Sequence, residues 1–136
     1  MTLDENTPIE EVRSFFAHDL FATEACGCRI VEAVRGHAVT ELDIEPRHRN
    51  AMGAVMGGAI FTLADYALAV ACNIGEAPTV SVSNTIEFLS GARGDRLIAT
   101  CNADKSGRNL GFYTVDVRDE LGTHVARMSA TCFRRA

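Results

Sequence analysis

Asp65 is the residue that its surroundings least explain. It stands between Leu63-Ala64 and Tyr66-Ala67, inside MGGAIFTLADYALAVACN, a stretch from Met56 that is apolar on nearly every helical face. Burying an unpaired carboxylate costs several kcal/mol, so such a group is paired, protonated or kept for chemistry. A purely structural Asp would bond to backbone or to the nearby Thr62. No Lys or Arg occurs between Arg49 and Arg93 to neutralise it. Gly57-Gly58 open the same stretch, and two glycines in a first helical turn cost roughly 1 kcal/mol each relative to Ala. They fit plain close packing. They also fit a ligand approaching the N–H groups left free at the positive end of the helix, where an oxyanion is stabilised.

The spacing adds a constraint. Gly57 and Asp65 are eight residues apart, about 12 Å along a helix axis. One carbonyl cannot be held by the Gly57 N–H and attacked by way of Asp65 of the same helix. If both act on one substrate, two antiparallel helices from two subunits must meet across a two-fold axis, which demands a dimer with two equivalent sites.

The elements that would position these residues follow from patterning. Thr7-Pro8-Ile9-Glu10 reads as a capping box with Thr7 as N-cap, opening a short amphipathic helix with Val12, Phe15 and Phe16 on its apolar face. Strand-like stretches cover about 25–34 and 37–44, with a hairpin turn at Arg35-Gly36, and 45–53 reads as a loop. The apolar stretch from Met56 to about Asn73–Gly75 is a helix of roughly 22 Å, too short for a bilayer, and its character predicts burial on all sides. Period-2 stretches then cover about 79–90, 96–104, 109–118 and 123–133, joined by Gly-bearing turns. The expected fold class is α+β, one curved antiparallel sheet of about six strands around a central helix, preceded by a short helix. With 136 residues and 47% hydrophobic content, one domain over 1–136 is expected, with 1–24 as N-terminal helix and lead-in.

Charge and cysteines narrow the function classes. Residues 1–46 carry ten acidic and three basic side chains, and residues 91–136 carry five acidic and eight basic. The basic excess is too small for nucleic acid but large enough for one phosphorylated small molecule, with Arg93, Arg96, Lys105 and Arg108 as candidates. The acidic start and the absence of a membrane-length apolar run predict a soluble, cytoplasmic protein. Cys26, Cys28, Cys72, Cys101 and Cys132 lack metal-ligand spacing and read as buried, reduced thiols, so no metal is expected.

His48-Arg49-Asn50, Gly53 and VMGGAIFTLAD at 55–65 resemble the signature of hot-dog-fold acyl-CoA thioesterases, specifically the phenylacetyl-CoA thioesterase-like family. That pattern is an Asn, then G-x-x-H-G-G, then an acid nine residues after the His. TVSVSNTIEFLSGA at 79–92 and KSGRNLGFYTVDVRDELGTHVARMSAT at 105–131 are similar to its later strands. The resemblance implies hydrolysis of acyl-CoA by a homodimer, with assembly of dimers into a tetramer left open and no cofactor beyond the CoA of the substrate. Asp65 would be general base or anhydride-forming nucleophile, Gly57 of the other subunit would polarise the thioester carbonyl with help from Asn50, and Ser81 would orient water. Met56, Gly58 and Tyr66 would border the substrate. CoA phosphates would lie along the Ser90–Arg93 turn and the turn carrying Lys105, Gly107 and Arg108.

One departure matters. Met56 stands where the family has His, and methionine neither donates a strong hydrogen bond nor transfers a proton. A non-catalytic acyl-CoA-binding or sensing protein on the same fold is therefore the alternative. A hydratase, which pairs a His with an acid, is a third reading, weakened by the lack of a His on the central helix. Met52, Phe61 and Phe88 are further candidates for an acyl pocket, and His48 reads as a loop histidine.

Overall fold

The computed structural model describes residues 3–135; residues 1, 2 and 136 of the expected domain lie outside that range. Helix α1 (Ile9–Phe16) is followed by a five-residue π-helical turn (Phe21–Ala25), then β1 (Arg29–Val34) and β2 (His37–Asp43). A short 3₁₀ turn (Pro46–His48) leads to α2 (Gly57–Asn73), and β3 (Thr79–Phe88), β4 (Arg96–Ser106), β5 (Leu110–Asp119) and β6 (His124–Arg134) complete the chain. The six strands form one antiparallel sheet in the order β1-β2-β4-β5-β6-β3. This is the sheet and central helix that the patterning implied.

Alternation explains why the sheet closes on α2. Cys101, Val115, Val117, Met128 and Cys132 are fully buried on one face, while register neighbours such as Thr114 and Ser129 face outward. On α2, Leu63, Ala64, Ala67, Leu68, Val70 and Ala71 are at most 1% exposed. Burial is not complete, however. Gly58, Phe61, Thr62, Asp65 and Ala69 form a stripe at helical spacing that the protomer leaves partly or wholly open. The expectation of a helix covered all round is corrected on this one face. All five cysteines are free and buried.

Two local expectations differ. Thr7 does not cap α1; its hydroxyl accepts the Asp4 N–H at 3.0 Å, closing a separate turn, and Pro8 holds the N-cap position without a side-chain cap bond. The stretch 25–34 is strand only from Arg29. Before it the Cys26 N–H bonds the Phe21 carbonyl five residues back, and Gly27 at φ 76° redirects the chain. A left-handed residue there breaks any strand.

The loop leading into β4 is fastened by two consecutive carboxylates. Asp119 Oδ2 accepts the N–H groups of Arg93 (2.8 Å) and Gly94 (2.9 Å), and Oδ1 accepts those of Leu121 (3.0 Å) and Thr123 (2.9 Å). Glu120 accepts the N–H groups of Asp95 and Arg96. At the other end of the sheet, Arg134 donates to the Gly107 carbonyl at 2.6 Å and to the Tyr113 hydroxyl at 3.1 Å, and pairs with Glu76. It thereby anchors the β4–β5 turn. Burial works against ionisation of Asp119, but the backbone N–H groups of Arg93, Thr123 and Gly94 outweigh it and hold the carboxyl well below the usual carboxylate range. A depressed folded-state value contributes stability above the unfolded value, near pH 4, and loses it as pH falls towards the folded value. Asp119→Ala strands four N–H groups and is expected to cost about 2–4 kcal/mol in urea unfolding at neutral pH, with a smaller difference in strong acid.

Candidate active site

Two cavities open along α2. The first, about 380 Å³, is walled on α2 by Phe61, Thr62, Asp65, Tyr66 and Ala69, and on the other side by Asp19, Leu20, Phe21 and Ala22. The second, about 360 Å³, lies at the start of α2, between Gly57, Ile60 and the preceding Ala54-Val55 on one side and Phe88–Ala92 on the other. Asp65 lines only the first and Gly57 only the second. Among the described residues no histidine lines either, and no group of three or more His, Cys, Asp or Glu could hold a metal ion.

Asp65 is half-buried and makes no hydrogen bond or ion pair among the described residues. The bond to Thr62 that would make it a structural acid is not formed, because the Thr62 hydroxyl donates to the Gly58 carbonyl at 2.8 Å. Burial pushes the Asp65 carboxyl up from its ordinary value, and the nearby negative charge of Asp19 pushes it further. Both effects disfavour the charged form and make the ionised group a better base. Tyr66 beside it is buried, stacked edge-on against Phe16 at 6.1 Å, with its hydroxyl directed at the Phe16 carbonyl.

At the other cavity, Met56 is the N-cap of α2 and the N–H groups of Gly57 and Gly58 have no acceptor among the described residues. The two glycines differ in purpose. A Cβ on Gly57 would meet the Phe88 ring at 3.0 Å, whereas one on Gly58 would meet nothing within 4 Å. Gly57 is thus required by the close approach of Phe88, and Gly58 faces open space.

The remaining candidates divide. Asn50 Oδ1 accepts the N–H groups of Met52 (3.0 Å) and Ala54 (3.1 Å), shaping the turn before α2 and leaving its amide NH₂ free to donate. Ser81 lies at a bulge in β3, opposite Cys132, and so on the concave side of the sheet; its hydroxyl accepts from Asn84 at 3.2 Å. It does not line the Asp65 cavity. Met56 is half exposed and Met52 is 92% exposed, and neither lines either of these two cavities. Ser90 borders the Gly57 cavity. Arg93 is exposed on the adjoining loop, Lys105 is exposed at the end of β4, and Arg108 is exposed in the turn that follows it. Those two basic turns sit at opposite ends of β4, roughly 30 Å apart at the usual rise per strand residue.

His48 is not a free loop histidine. It is 4% exposed. Its Nδ1 accepts the Glu45 N–H at 2.9 Å, which leaves the proton on Nε2 to donate to the Cys26 carbonyl at 2.7 Å. The Met56 N–H bonds the His48 carbonyl at 2.8 Å. The imidazole braces the loop that delivers α2 and is committed to that task. Asp19, Leu20, Phe21 and Ala22 were not candidates from the sequence, where they form an irregular stretch without periodicity.

Residues 52–126 match the model of the thioesterase superfamily. The chain belongs to that superfamily. Acyl-coenzyme A thioesterase PaaI of Escherichia coli is 32% identical over 115 residues, covering 81% of this chain and 82% of the relative. Human acyl-coenzyme A thioesterase 13 is 34% identical over 94 residues, 67% of each. The solved structure of E. coli PaaI aligns with a TM-score of 0.82 and 25% identity, over 95% of this chain and 97% of that one. The sheet wrapped on α2 is therefore the hot-dog fold, and the protein is a PaaI-like thioesterase of that fold, as the motif around Asp65 implied.

A raised folded-state value for Asp65 means its contribution to stability is present at low pH and lost as pH rises through that value. Asp65→Asn is accordingly expected to melt at a higher temperature than the parent at neutral pH, with the difference vanishing below about pH 4. Differential scanning calorimetry across pH reads this directly.

Proposed function

We propose that the protein hydrolyses acyl-CoA thioesters to the free acid and CoA, at a site that takes Asp65 from one subunit and the Gly57 N–H from the other. The observation that carries this reading is the separation of the two groups into different cavities eight residues apart along one helix. Ionised Asp65 accepts a proton from water as its oxygen attacks the thioester carbonyl carbon. The oxyanion forms against the N–H of Gly57, with the Asn50 amide as a second donor, and Ser81, which lines neither cavity within one protomer, orients the water only where the paired subunits bring it to Asp65. The C–S bond then breaks, and the departing thiolate takes the proton that Asp65 holds. Direct attack by Asp65 to give an anhydride, opened later by water, uses the same groups. No cofactor enters either route.

The subunit arrangement has support in the sheet. β3 is an edge strand of ten residues that exposes Val80 and Val82, each over 60%. Long apolar edges of this kind template pairing with another chain. Two β3 edges joined antiparallel bring the Ser90–Arg93 turn of one protomer towards the Lys105–Arg108 turn of its partner, so one CoA reaches both only across the dimer. Further pairing into a tetramer leaves this geometry unchanged.

Met56 supports a second reading, acyl-CoA binding without turnover, since nothing at that position supplies a proton. Release of free thiol from acyl-CoA separates the two. Asp65→Asn is expected to lower kcat by at least about 10²–10³ while leaving the assembly intact. Gly57→Pro removes the N–H and, like Gly57→Ala, adds a Cβ against Phe88; proline suits the first helical position, so it is expected to lower kcat by about 10² or more relative to Gly57→Ala, which keeps the N–H. Co-expressed, the two inactive variants should regain close to a quarter of the parental activity, because random pairing puts half of the dimers in mixed form with one intact site each. No recovery in verified mixed dimers overturns the shared site. Activity should also fall on acidification with a midpoint above the ordinary carboxylate range, in keeping with the raised Asp65 value.

A further inference from the structure

The segment between α1 and β1 does more than connect them. Its π-helical turn is held by the Cys26 N–H on the Phe21 carbonyl and by the Thr23 hydroxyl on the Asp19 carbonyl at 2.9 Å. So held, it presents Asp19, Leu20 and Phe21 to the cavity that contains Asp65. Leu20 is 58% and Phe21 68% exposed. Large apolar side chains left open beside a candidate catalytic carboxylate mark a surface that something apolar covers. The segment lies outside the stretch that matches the superfamily model, which starts at residue 52.

The charge in this cavity is one-sided. Asp19 and Asp65 both line it, neither carboxylate has a hydrogen-bond or ion-pair partner among the described residues, and no Lys, Arg or His contributes to its wall. His18, next to Asp19, directs its ring at the Phe15 carbonyl. The rest of the wall is Phe61, Tyr66, Ala22, Ala69 and Thr62, whose hydroxyl is taken up by the Gly58 carbonyl. A group entering this space meets ring and aliphatic surface together with two carboxylates, Asp65 half-buried and Asp19 exposed, with His18 the nearest basic side chain to Asp19.

We propose that the cavity beside Asp65 receives the acyl group and that Asp19, Leu20 and Phe21 make it selective for uncharged, apolar acyl chains over chains ending in a second carboxylate. This rests on the thioester hydrolysis proposed above and narrows its substrate class. An apolar chain gains by leaving water for the Leu20, Phe21 and Phe61 surfaces. A terminal carboxylate loses its hydration there, finds no cation, and faces like charge.

Hexanoyl-CoA and adipoyl-CoA carry six-carbon acyl groups that differ in the terminal carboxylate, and kcat/KM for the two reads the selectivity in the unmodified protein. The expected preference for hexanoyl-CoA is at least about tenfold, the factor that one like charge several ångströms away exerts in a half-buried site. Asp19→Asn should narrow the ratio several-fold by improving the adipoyl substrate. Phe21→Ala should narrow it by weakening the hexanoyl substrate. Both positions are exposed, and thermal melts confirm that the variants fold. Equal use of the two thioesters by the parent, or a ratio that neither variant moves, overturns the selectivity while leaving hydrolysis standing. If neither is hydrolysed, calorimetric affinities for the same pair still read the selectivity, and only the hydrolytic reading falls. Binding of neither overturns both.

Discussion

A carboxylate that the protomer half buries and leaves without a partner sets the terms for this molecule. Asp65 occupies the one stripe of α2 that the sheet does not cover, with the Thr62 hydroxyl turned to Gly58 and no Lys, Arg or His in the wall of its cavity. An ionised group in that position raises the free energy of the folded state at neutral pH. The rest of the fold must compensate, and it does so through a sheet whose concave face is almost wholly apolar and through an α2 whose opposite face is built from Ala, Leu and Val at near-zero exposure. The thioesterase fold thus isolates one reactive group on a helix otherwise devoted to packing.

The same helix carries its second functional end under a different kind of constraint. Phe88 packs so close to Gly57 that a methyl group there would have to displace the ring, and His48, buried and hydrogen-bonded through both nitrogens, fixes the loop that starts α2. The histidine nearest the helix start is structural, and a half-exposed methionine stands where the motif that this sequence resembles would place one.

Much of this was legible from residue order. Alternation located β3 to β6 to within two residues; on β4, β5 and β6 it reflects one face on the core, which imposes it, whereas the alternating Val80 and Val82 of β3 lie exposed on the sheet edge. Asp65 was legible because its type contradicted its neighbours. What escaped had no periodicity to reveal it. The π-helical turn depends on a left-handed Gly27 and on bonds spanning five residues, so 25–28 read as strand. Thr7 formed a turn with Asp4 that competes with capping, a choice that local composition does not decide. Asp19, Leu20 and Phe21 reach the Asp65 cavity only because the chain folds back over α2, a tertiary fact with no local signature. The open stripe on α2 was missed for a related reason, since hydropathy reports what can be buried and not whether one chain supplies enough cover.

The carboxylate fastening of the β3–β4 loop has a consequence for how an anion is greeted there. The N–H groups of residues 93 to 96, which in a bare turn would form a cradle for phosphate, are already occupied by Asp119 and Glu120. A phosphate arriving at that edge is left with the Arg93 guanidinium and the diffuse field around it, set against two fixed negative charges. Attraction of that sort acts at range, has little directional preference, and weakens as counterions accumulate within a Debye length of about 8 Å in physiological saline. Capture at this rim is therefore governed by ionic strength, whereas events deeper in the cleft, shielded from mobile ions, are not.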